Sequence, residues 1–332
     1  MQLVDMAHVR RVLDVVRRDE VAKSEIAASW RRCLMVHKID PTRPAAARVL
    51  TEAELKEASE PIMPILRVAE PEIDRLFRLV RGAGYIILVS DYRGIAIAER
   101  ATEENCGPAG KRPMLGTVWD ESVEGTNGLG TALANKRQVL VRRSEHLHTR
   151  NTGMICAAAP IYNHDGKLSG AIDITTFRSE ASDSYLPLAL AVVTDAARRI
   201  EARCFSRAHP NEMILSLPNC ENAGGSVPLI AVNTDHFVVG ATRAARLAWH
   251  LTDDTLRDGV PLREVVPEAE RESPKFADTE RFILQQALAS SKKISSAASA
   301  LGISRTTMYR KMKRLAGSGT VFPKRKRRDS SK

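Results

Sequence analysis

The segment from Ile294 to Leu315 constrains the fold of this chain more than any other. Apolar spacing predicts a short helix that is closed by Gly302, because glycine adopts a left-handed backbone conformation at little cost. Ser304 can cap a following helix, which is predicted over Arg305–Leu315. Two helices joined by so tight a turn cross at a steep angle. The pattern predicts a compact helix-turn-helix, packed through Ala298, Leu301, Ile303, Met308 and Met312.

The basic charge of the chain is concentrated in the same region. The 332 residues carry a formal net charge of +10, but residues 273–332 hold 15 Lys and Arg against 3 Asp and Glu. This end therefore carries +12 and the rest of the chain −2. A near-neutral body with one strongly basic module is the distribution expected of a protein that binds a polyanion. The alternative is a solvated basic tail without a partner.

The second helix of the pair is predicted to expose a basic surface long enough to enter a DNA major groove. The alternative for such a hairpin is docking onto another protein. A preceding helix is indicated by Phe282, Ile283, Gln286, Ala287 and Leu288.

The three helices resemble the DNA-binding domain of the Fis family. The resemblance rests on Ala297-Ala298-x-x-Leu301-Gly302-Ile303-Ser304-Arg305-x-Thr307-x-Tyr309-Arg310-Lys311-x-Lys313. It implies contacts to base edges by Ser304, Arg305 and Arg310, because arginine pairs bidentately with guanine. Contacts to the phosphate backbone of double-stranded DNA are implied for Thr307, Lys311, Lys313 and Arg314.

The remaining boundaries follow from changes in composition and period. We predict an N-terminal helical segment at 1–60, a sensor domain at 61–208, a linker at 209–226, a truncated connector at 227–272, the helix-turn-helix domain at 273–317 and a basic disordered tail at 318–332. The run Lys324–Arg328 in the tail predicts sequence-independent, salt-sensitive affinity for DNA. The alternative is a tail that only increases solubility.

The first 208 residues predict an α+β domain, with helices at the N-terminus and an antiparallel sheet after them. Strands are predicted at Tyr85–Val89, Ile95–Ala98, Gln138–Val141, Met154–Tyr162 and Leu168–Thr175, and short helices at Thr51 and at Leu129–Asn135. A closing helix is predicted over Ser182–Phe205. Its apolar residues have heptad-like spacing: Leu186, Leu190, Val193, Ala197, Ile200 and Cys204. Such a face packs either on its own sheet or against a second copy of the chain.

A distinctive block lies between the predicted strands. It runs Gly116-Thr117-Val118-Trp119-Asp120-Glu121-x-x-x-Gly125-Thr126-Asn127-x-x-Gly130-Thr131-Ala132-Leu133. With Ser29-Trp30-Arg31-Arg32-Cys33, Glu145-His146 and Cys156–Ile161, it resembles the GAF sensor region of acetoin- and glycerol-catabolism activators. Val239–Arg246 is similar to the PAS-like piece that follows such sensors.

The resemblance implies a small-molecule effector in a pocket of the GAF-type domain. The candidate pocket residues are Trp119, Glu121, Thr126, Asn127, Thr131 and Asp173. The structural alternative is that the glycines shape a turn and that Thr126 or Asn127 caps the next helix. His146 and His148, with Cys156 nearby, raise the alternative of a metal or haem site. We expect no metal and no cofactor.

This sequence departs from the activator pattern in one respect. Activators of that type carry a central ATPase that acts on RNA polymerase, but this sequence has no G-x-x-x-x-G-K-[ST] motif. Gly107–Arg112 has short glycine spacing, and Arg112 stands where a hydroxyl would bind magnesium. About seventy residues separate the sensor from the DNA-binding helices, too few for an ATPase. We therefore expect regulation by DNA occupancy or polymerase recruitment, without ATP hydrolysis.

The five cysteines, Cys33, Cys106, Cys156, Cys204 and Cys220, are scattered and form no C-x-x-C pair. This usage indicates reduced thiols in the cytoplasm, and no apolar run is long enough to span a membrane. The sequence thus predicts a cytoplasmic bacterial transcription regulator that is not an enzyme and acts as a homodimer. Alternatives are a thiol redox enzyme or sensor that uses Cys106 or Cys156, and an architectural nucleoid-binding protein.

Overall fold

The structure, a computed structural model, describes residues 5–18, 24–43, 46–102, 114–178, 183–216, 227–265, 283–284, 287–288, 291 and 294–316. These residues form two bodies, which divide between residues 260 and 261. Each body is described by itself below.

The chain begins with two short helices that have side-chain caps. Helix α1 spans Met6–Arg17, and the Asp5 carboxylate accepts from the Ala7 backbone N–H at 2.9 Å. Helix α2 spans Glu25–Arg31 and continues as a turn of π-helix over Arg32–Val36. Ser24 caps α2, as its position in the sequence predicts. The apolar faces meet in a small cluster of Val12, Val16, Trp30, Cys33 and Leu147.

Two further helices lead to the sheet. Helix α3 (Glu52–Ser59) begins with the capping box predicted at Thr51 and Glu54. A single 3-10 turn that contains Pro61 separates it from helix α4 (Met63–Val80). Pro64 lies in the first turn of α4, where a missing N–H leaves no hydrogen bond broken. The chain leaves α4 through Gly84, whose φ is +82°.

The centre of the first body is a five-stranded antiparallel sheet. Its strands are β1 (Ile86–Asp91), β2 (Ala96–Arg100), β3 (Val139–Arg142), β4 (Ile155–Tyr162) and β5 (Leu168–Thr176), in the order β2-β1-β5-β4-β3. Between β2 and β3 lie the short helices α5 (Glu121–Glu124) and α6 (Gly128–Asn135). The mixed helix and sheet architecture predicted from periodicity is confirmed, with strand ends displaced by one or two residues.

Helix α7 (Leu186–Ala208) closes the sheet and begins four residues later than predicted. Five of its six heptad-like residues are buried: Leu186, Val193, Ala197, Ile200 and Cys204. The last four belong to one core cluster with α4 and the sheet, including Ile73, Leu76 and Ile172. This face of α7 packs inside the protomer, so it does not form a seam with a second copy.

A smaller sheet follows α7, and its last strand lies at the division between the two bodies. It contains β6 (Met213–Ser216), β7 (Leu229–Val232), β8 (Phe237–Ala241) and β9 (Val260–Pro261), in that order, with helices α8 (Arg243–Trp249) and α9 (Asp253–Asp258). Strand β6 lies within the stretch 209–226 that composition predicts as a linker. The guanidinium of Arg243 lies 4.7 Å from the ring centroid of Tyr162 on β4. This contact joins the connector to the sensor sheet.

The second body contains helix α10 (Leu262–Val265) and the helical residues 283–284 and 287–288. Helices α11 (Ile294–Ala300) and α12 (Arg305–Ala316) follow. Its core joins Leu284, Ala287, Ala297, Ala298 and Met308, with Leu301, Ile303 and Met312 packed against them. The predicted helix pair and its apolar contacts are confirmed. Residues 318–332, predicted as a basic tail, lie outside the described residues, and the predicted domain boundaries stay predictions.

None of the helices in the described part of the chain is both long and apolar enough to cross a membrane.

Candidate functional site

The loop that joins β2 to α6 carries most of the predicted pocket residues, and Asn127 determines its path. The Asn127 Oδ1 accepts from the Gly130 N–H at 2.8 Å and so caps α6. Its Nδ2 donates to the carbonyl oxygens of Trp119 at 2.7 Å and Gly125 at 2.8 Å. Since its amide is engaged with the backbone, Asn127 shapes the loop, in agreement with the structural alternative for this residue.

The Glu121 carboxylate forms a buried ion pair with the N-terminal helices. Arg32 donates to it twice, from Nε at 2.8 Å and from Nη2 at 2.9 Å. The Ser29 hydroxyl donates to Glu121 Oε1 at 2.6 Å. The Glu121 side chain is only 2% exposed, whereas that of Arg32 is 31% exposed. Arg32 thus places a positive charge between a buried carboxylate and the solvent.

Two more predicted pocket residues belong to the same cluster. The Thr126 hydroxyl lies 2.7 Å from Ser29 Oγ, and the Thr131 hydroxyl lies 3.5 Å from it. Glu121, Thr126 and Thr131 therefore point toward α2. Their partners Ser29 and Arg32 were not predicted as site residues. Both residues lie in the run Ser29–Cys33, which contributed only to the resemblance and did not by itself indicate a site.

Trp119 and Asp173 lie elsewhere and line a small cavity between α6 and the sheet. The cavity has a volume of about 10 Å³. Its apolar lining comes from Leu88, Leu129 and Met154, and its polar lining includes Asp173, Thr175 and Cys156. Among the six predicted pocket residues, Trp119, Asn127 and Asp173 line it.

The Asp173 carboxyl lies on β5 and is 1% exposed. Thr175, two residues along the same strand, donates its hydroxyl to Asp173 Oδ2. The other oxygen, Oδ1, has no hydrogen-bond partner. Burial raises the pKa of Asp173 to about 7, although the Thr175 hydrogen bond opposes the shift. A Cβ on Gly128 would collide with Asp173 Oδ1, so glycine at this position lets α6 approach the carboxyl.

Cys156 lies beside Asp173 and is paired with His146. The His146 Nδ1 lies 3.0 Å from the Arg143 carbonyl oxygen, which can only accept, so Nδ1 carries the proton. The unprotonated Nε2 then accepts from the Cys156 thiol at 3.3 Å. Burial lowers the pKa of His146 to about 4 and raises the pKa of the Cys156 thiol well above its usual range. At neutral pH the pair is therefore uncharged.

This environment does not favour the alternative of a redox thiol. The thiolate is the nucleophilic form of cysteine, and burial here keeps Cys156 protonated. Cys33, Cys156 and Cys204 are free and buried, while Cys106 and Cys220 lie outside the described residues. Within the ranges that the structure describes, no group of three or more His, Cys, Asp or Glu is placed to hold a metal ion.

The turn between α11 and α12 has the geometry that the sequence predicts. Gly302 has a φ of +63°, and no atom lies within 4 Å of the position that a Cβ would take there. The Ser304 hydroxyl accepts from the Thr307 N–H at 3.1 Å and lies 2.8 Å from the Thr307 hydroxyl. Ser304 thus caps α12, and Met308 at the centre of α12 is fully buried.

The outer face of α12 presents the predicted DNA-binding residues. Ser304, Arg305, Arg310 and Lys313 are exposed, while Thr307 and Lys311 are half-buried. The Arg305 guanidinium lies 5.7 Å from the Tyr309 ring centroid. The side chain of Arg314 lies outside the described residues. The structure therefore brings two arginines and a lysine to one surface of a capped helix.

Two family models match this chain. The model described as "Bacterial regulatory protein, Fis family" matches residues 275–315, and "MimR, N-terminal domain" matches residues 12–202. The first contains the helix pair and its turn, and the second contains α2, the five-stranded sheet and the cavity. Residues 203–274 lie between the two matched regions, which is too short a stretch for an ATPase domain.

Curated relatives are named as regulators of transcription. The acetoin catabolism regulatory protein of Cupriavidus necator is 33% identical over 235 residues, which cover 69% of this chain and 35% of the relative. The acetoin dehydrogenase operon transcriptional activator AcoR of Bacillus subtilis is 30% identical over 238 residues, covering 71% of this chain and 38% of AcoR. The chain spans about a third of the length of these relatives.

One solved structure that the chain matches is the E. coli DhaR(N)–DhaL complex. Its matching chain is 14% identical with a TM-score of 0.48, covering 76% of this chain and 86% of that one. The propane 2-monooxygenase operon transcriptional activator MimR of Mycolicibacterium smegmatis is 28% identical over 201 residues, covering 59% of this chain and 32% of the relative. The match to residues 12–202 takes in more than half of the chain. The chain therefore belongs to the MimR N-terminal domain family and carries a Fis-family helix-turn-helix.

Proposed function

We propose that this chain is a sequence-specific DNA-binding transcription regulator whose N-terminal domain senses a small-molecule effector. The observation that carries the proposal is the capped, basic helix α12, held by a left-handed glycine turn within a Fis-family match. The names of the relatives, which include transcriptional activators, support it. In this proposal the chain regulates transcription and catalyses no reaction.

Arg305 and Arg310 are the residues we assign to base recognition. Both are exposed on α12, and a guanidinium can donate two parallel hydrogen bonds to the O6 and N7 atoms of guanine. Ser304 lies next to them at the start of the helix, where N-terminal residues of a recognition helix reach base edges. Lys313, with Thr307, Lys311 and Arg314, would hold phosphates and set the register.

The effector would act by changing how two DNA-binding modules are placed, which requires a homodimer. Dimeric helix-turn-helix proteins bind half-sites about one helical turn apart, so we expect a roughly palindromic operator. Regulation would then follow from promoter occupancy or recruitment of RNA polymerase in the cytoplasm, without ATP hydrolysis. The absence of a P-loop motif from the sequence supports this part of the proposal.

A gel-shift titration of the full chain against fragments from its own genome tests the proposal. We expect a few fragments to bind at least a hundredfold more tightly than the rest, followed by a footprint with two-fold symmetry. Competition with unlabelled nonspecific DNA at fixed salt is the control, since all such affinities depend on salt. Uniform affinity for all fragments would contradict sequence-specific regulation and favour an architectural protein.

A further inference from the structure

Tyr309 is an aromatic residue on the basic surface of α12, and the DNA contacts proposed above do not include it. It is 46% exposed, whereas Met308 beside it is fully buried. Among the described residues, the core of the helix-turn-helix joins Met308 to Ala298 and its neighbours and does not include Tyr309. The packing of the domain therefore does not account for a ring at this position.

The ring of Tyr309 lies against the guanidinium of Arg305. The Arg305 Cζ atom is 5.7 Å from the Tyr309 ring centroid, and a cation is attracted to the face of an aromatic ring within about 6 Å of the centroid. Residues four positions apart lie on one face of a helix, and a long side chain there points back toward the preceding turn. The backbone of α12 therefore directs Tyr309 onto Arg305, the first residue of the helix.

Within the helix pair, no carboxylate competes with the ring for Arg305. Residues 294–316, which comprise α11, the turn and α12, contain no aspartate and no glutamate. The partial positive charge at the N-terminus of α12 repels a guanidinium and does not hold it in place. Because Arg305 is exposed, the Tyr309 ring is the contact within this pair that restrains its side chain.

A guanidinium that lies against a ring can still recognise a base. Its face contacts the ring, while its five N–H donors lie in its own plane and stay free to pair with the O6 and N7 atoms of guanine. An arginine side chain loses rotamer freedom when a base fixes it, and this loss weakens binding. Restraint by Tyr309 before DNA binds reduces the loss, and it does so only at the base that Arg305 contacts.

We infer that Tyr309 is a positioning residue for sequence recognition, whose ring holds the Arg305 guanidinium ready to pair with guanine. Tyr309 acts through Arg305 and contacts no base itself. The inference rests on the proposed function, since it describes how the same helix recognises its operator.

Discrimination measured at each base pair tests the inference. The full chain is titrated by fluorescence anisotropy against the tightest-binding fragment from the gel-shift experiment and against its single-base variants. Arg305→Ala identifies the base pair that Arg305 contacts. Tyr309→Leu removes the ring and should reduce discrimination at that base pair about two- to fivefold, leaving the other base pairs unchanged. An equal loss at all base pairs, or a loss at a different one, would overturn the inference.

Tyr309→Phe separates the ring from the hydroxyl. It keeps the ring face that attracts a guanidinium, so it should discriminate like the wild type. If Tyr309→Phe loses as much as Tyr309→Leu, the hydroxyl is the functional group and the inference is wrong. Circular dichroism of each variant verifies that α12 remains helical.

A double-mutant cycle shows whether Tyr309 acts through Arg305. In the Arg305→Ala background, Tyr309→Leu should cause no further loss of discrimination, because the side chain that it positions is gone. A further loss of the same size would mean that Tyr309 contacts DNA independently, contrary to the inference.

Tyr92→Leu is the matched control outside the helix-turn-helix. Tyr92 is 60% exposed, and the guanidinium of Arg93 lies 5.7 Å from its ring centroid, the same distance as in the Arg305–Tyr309 pair. This variant loses the same kind of contact and should bind every fragment like the wild type.

The same titrations separate failure of the inference from failure of the proposed function. A sequence preference in the wild type that Tyr309→Leu leaves unchanged would contradict the inference alone. Uniform affinity of the wild type for all fragments would remove the proposed function, and the inference with it.

Discussion

Arg32 stabilises a carboxylate that would otherwise be buried without a countercharge. Replacing Arg32 with Ala removes both of its hydrogen bonds to Glu121 and leaves the one from the Ser29 hydroxyl. Breaking a fully buried pair costs about 3–5 kcal/mol. Because the Arg32 side chain is 31% exposed, we expect a decrease of about 2–3 kcal/mol in the free energy of unfolding, measured by urea denaturation.

Arg43→Ala is the matched control for Arg32→Ala. Arg43 also pairs with a carboxylate, that of Asp40 at 3.1 Å, but its side chain is 84% exposed. Exposed pairs contribute about 0–1 kcal/mol, so this variant should unfold nearly like the wild type. Equal stability of the two variants would mean that the Glu121 pair does not anchor the N-terminal helices.

Asp173 makes stability depend on pH in a predictable direction. Its pKa is about 7 in the folded chain against an ordinary value of 3.8, so ionisation disfavours the fold. Its stabilising contribution is full below pH 3.8, falls as the pH rises toward 7 and stays absent above that. Asp173→Asn cannot ionise. Its free energy of unfolding should therefore increase relative to that of the wild type between pH 4 and pH 7.

The comparison with Asp173→Asn is needed because other groups titrate in the same range. Burial lowers the pKa values of His146 and His148 to about 4, which makes the fold more stable as the pH rises from 4 to 6.5. Both histidines remain in the variant, so the difference between the two proteins isolates Asp173. A difference that does not change with pH would show that the carboxyl titrates normally.

The two kinds of DNA contact on α12 should respond differently to truncation. Arg305→Ala should reduce discrimination at one base pair by about 1–3 kcal/mol and leave nonspecific binding nearly unchanged. Lys313→Ala should weaken binding to all sequences alike and reduce the salt slope by about 1. Competition gel shifts on a set of single-base operator variants measure both effects, with Arg207→Ala, an exposed arginine of α7, as control. If both α12 variants weaken all sequences equally, Arg305 contacts only phosphate.

The turn before α12 depends on one backbone conformation. Gly302 has a φ of +63° with open space around it, so Gly302→Ala meets backbone strain but no collision. We expect a decrease of about 1–2 kcal/mol in the stability of the helix-turn-helix, with a matching decrease in DNA affinity. Gly82→Ala also has open space and has no positive φ, so it should be neutral in thermal unfolding. A neutral Gly302→Ala would show that the turn tolerates another conformation.

The helix caps and turns were predictable from the sequence, because the residues that form each of them lie within a few positions of one another. The capping box at Thr51, the cap at Ser24 and the glycine turn at Gly302 involve partners three or four positions apart. The heptad-like face of α7 had two interpretations, because spacing shows that a face is apolar but not what covers it. In the structure this face of α7 packs against α4 and the sheet.

The site was only partly predictable, because its contacts join residues that are far apart in the chain. The sequence predicted Trp119, Asn127 and Asp173 as effector-pocket residues. All three line the small cavity below α6, and their role in binding an effector stays a prediction. The sequence also predicted Glu121 as a pocket residue. In the structure Glu121 instead pairs with Ser29 and Arg32, which lie 92 and 89 positions away in the chain. The sequence also gave no indication that Cys156 would lie beside Asp173 and Thr175, since that depends on the register of β4 with β5.

The molecule as a whole separates a near-neutral sensor from a basic DNA-binding end. Deleting Lys324–Arg328 removes five positive charges from that end. We expect weaker binding to all fragments by similar factors. The dependence of affinity on salt should become shallower, by about 0.9 for each phosphate that the run would otherwise neutralise. Anisotropy titrations at several salt concentrations measure the slope, and an unchanged slope would mean that the run does not bind DNA.

The ion pair between Arg32 and Glu121 determines which part of the chain can be moved between proteins as a unit. A ligand-responsive domain for a synthetic biosensor could be cut at residue 61, the predicted start of the sensor domain, although Ala58 already belongs to the core cluster of the sheet. Such a graft would leave behind Ser29 and Arg32 and expose a carboxylate that the native chain keeps buried. The transplantable unit therefore includes α1 as well as α2, because Val12 and Val16 of α1 pack with Trp30, Cys33 and Leu147.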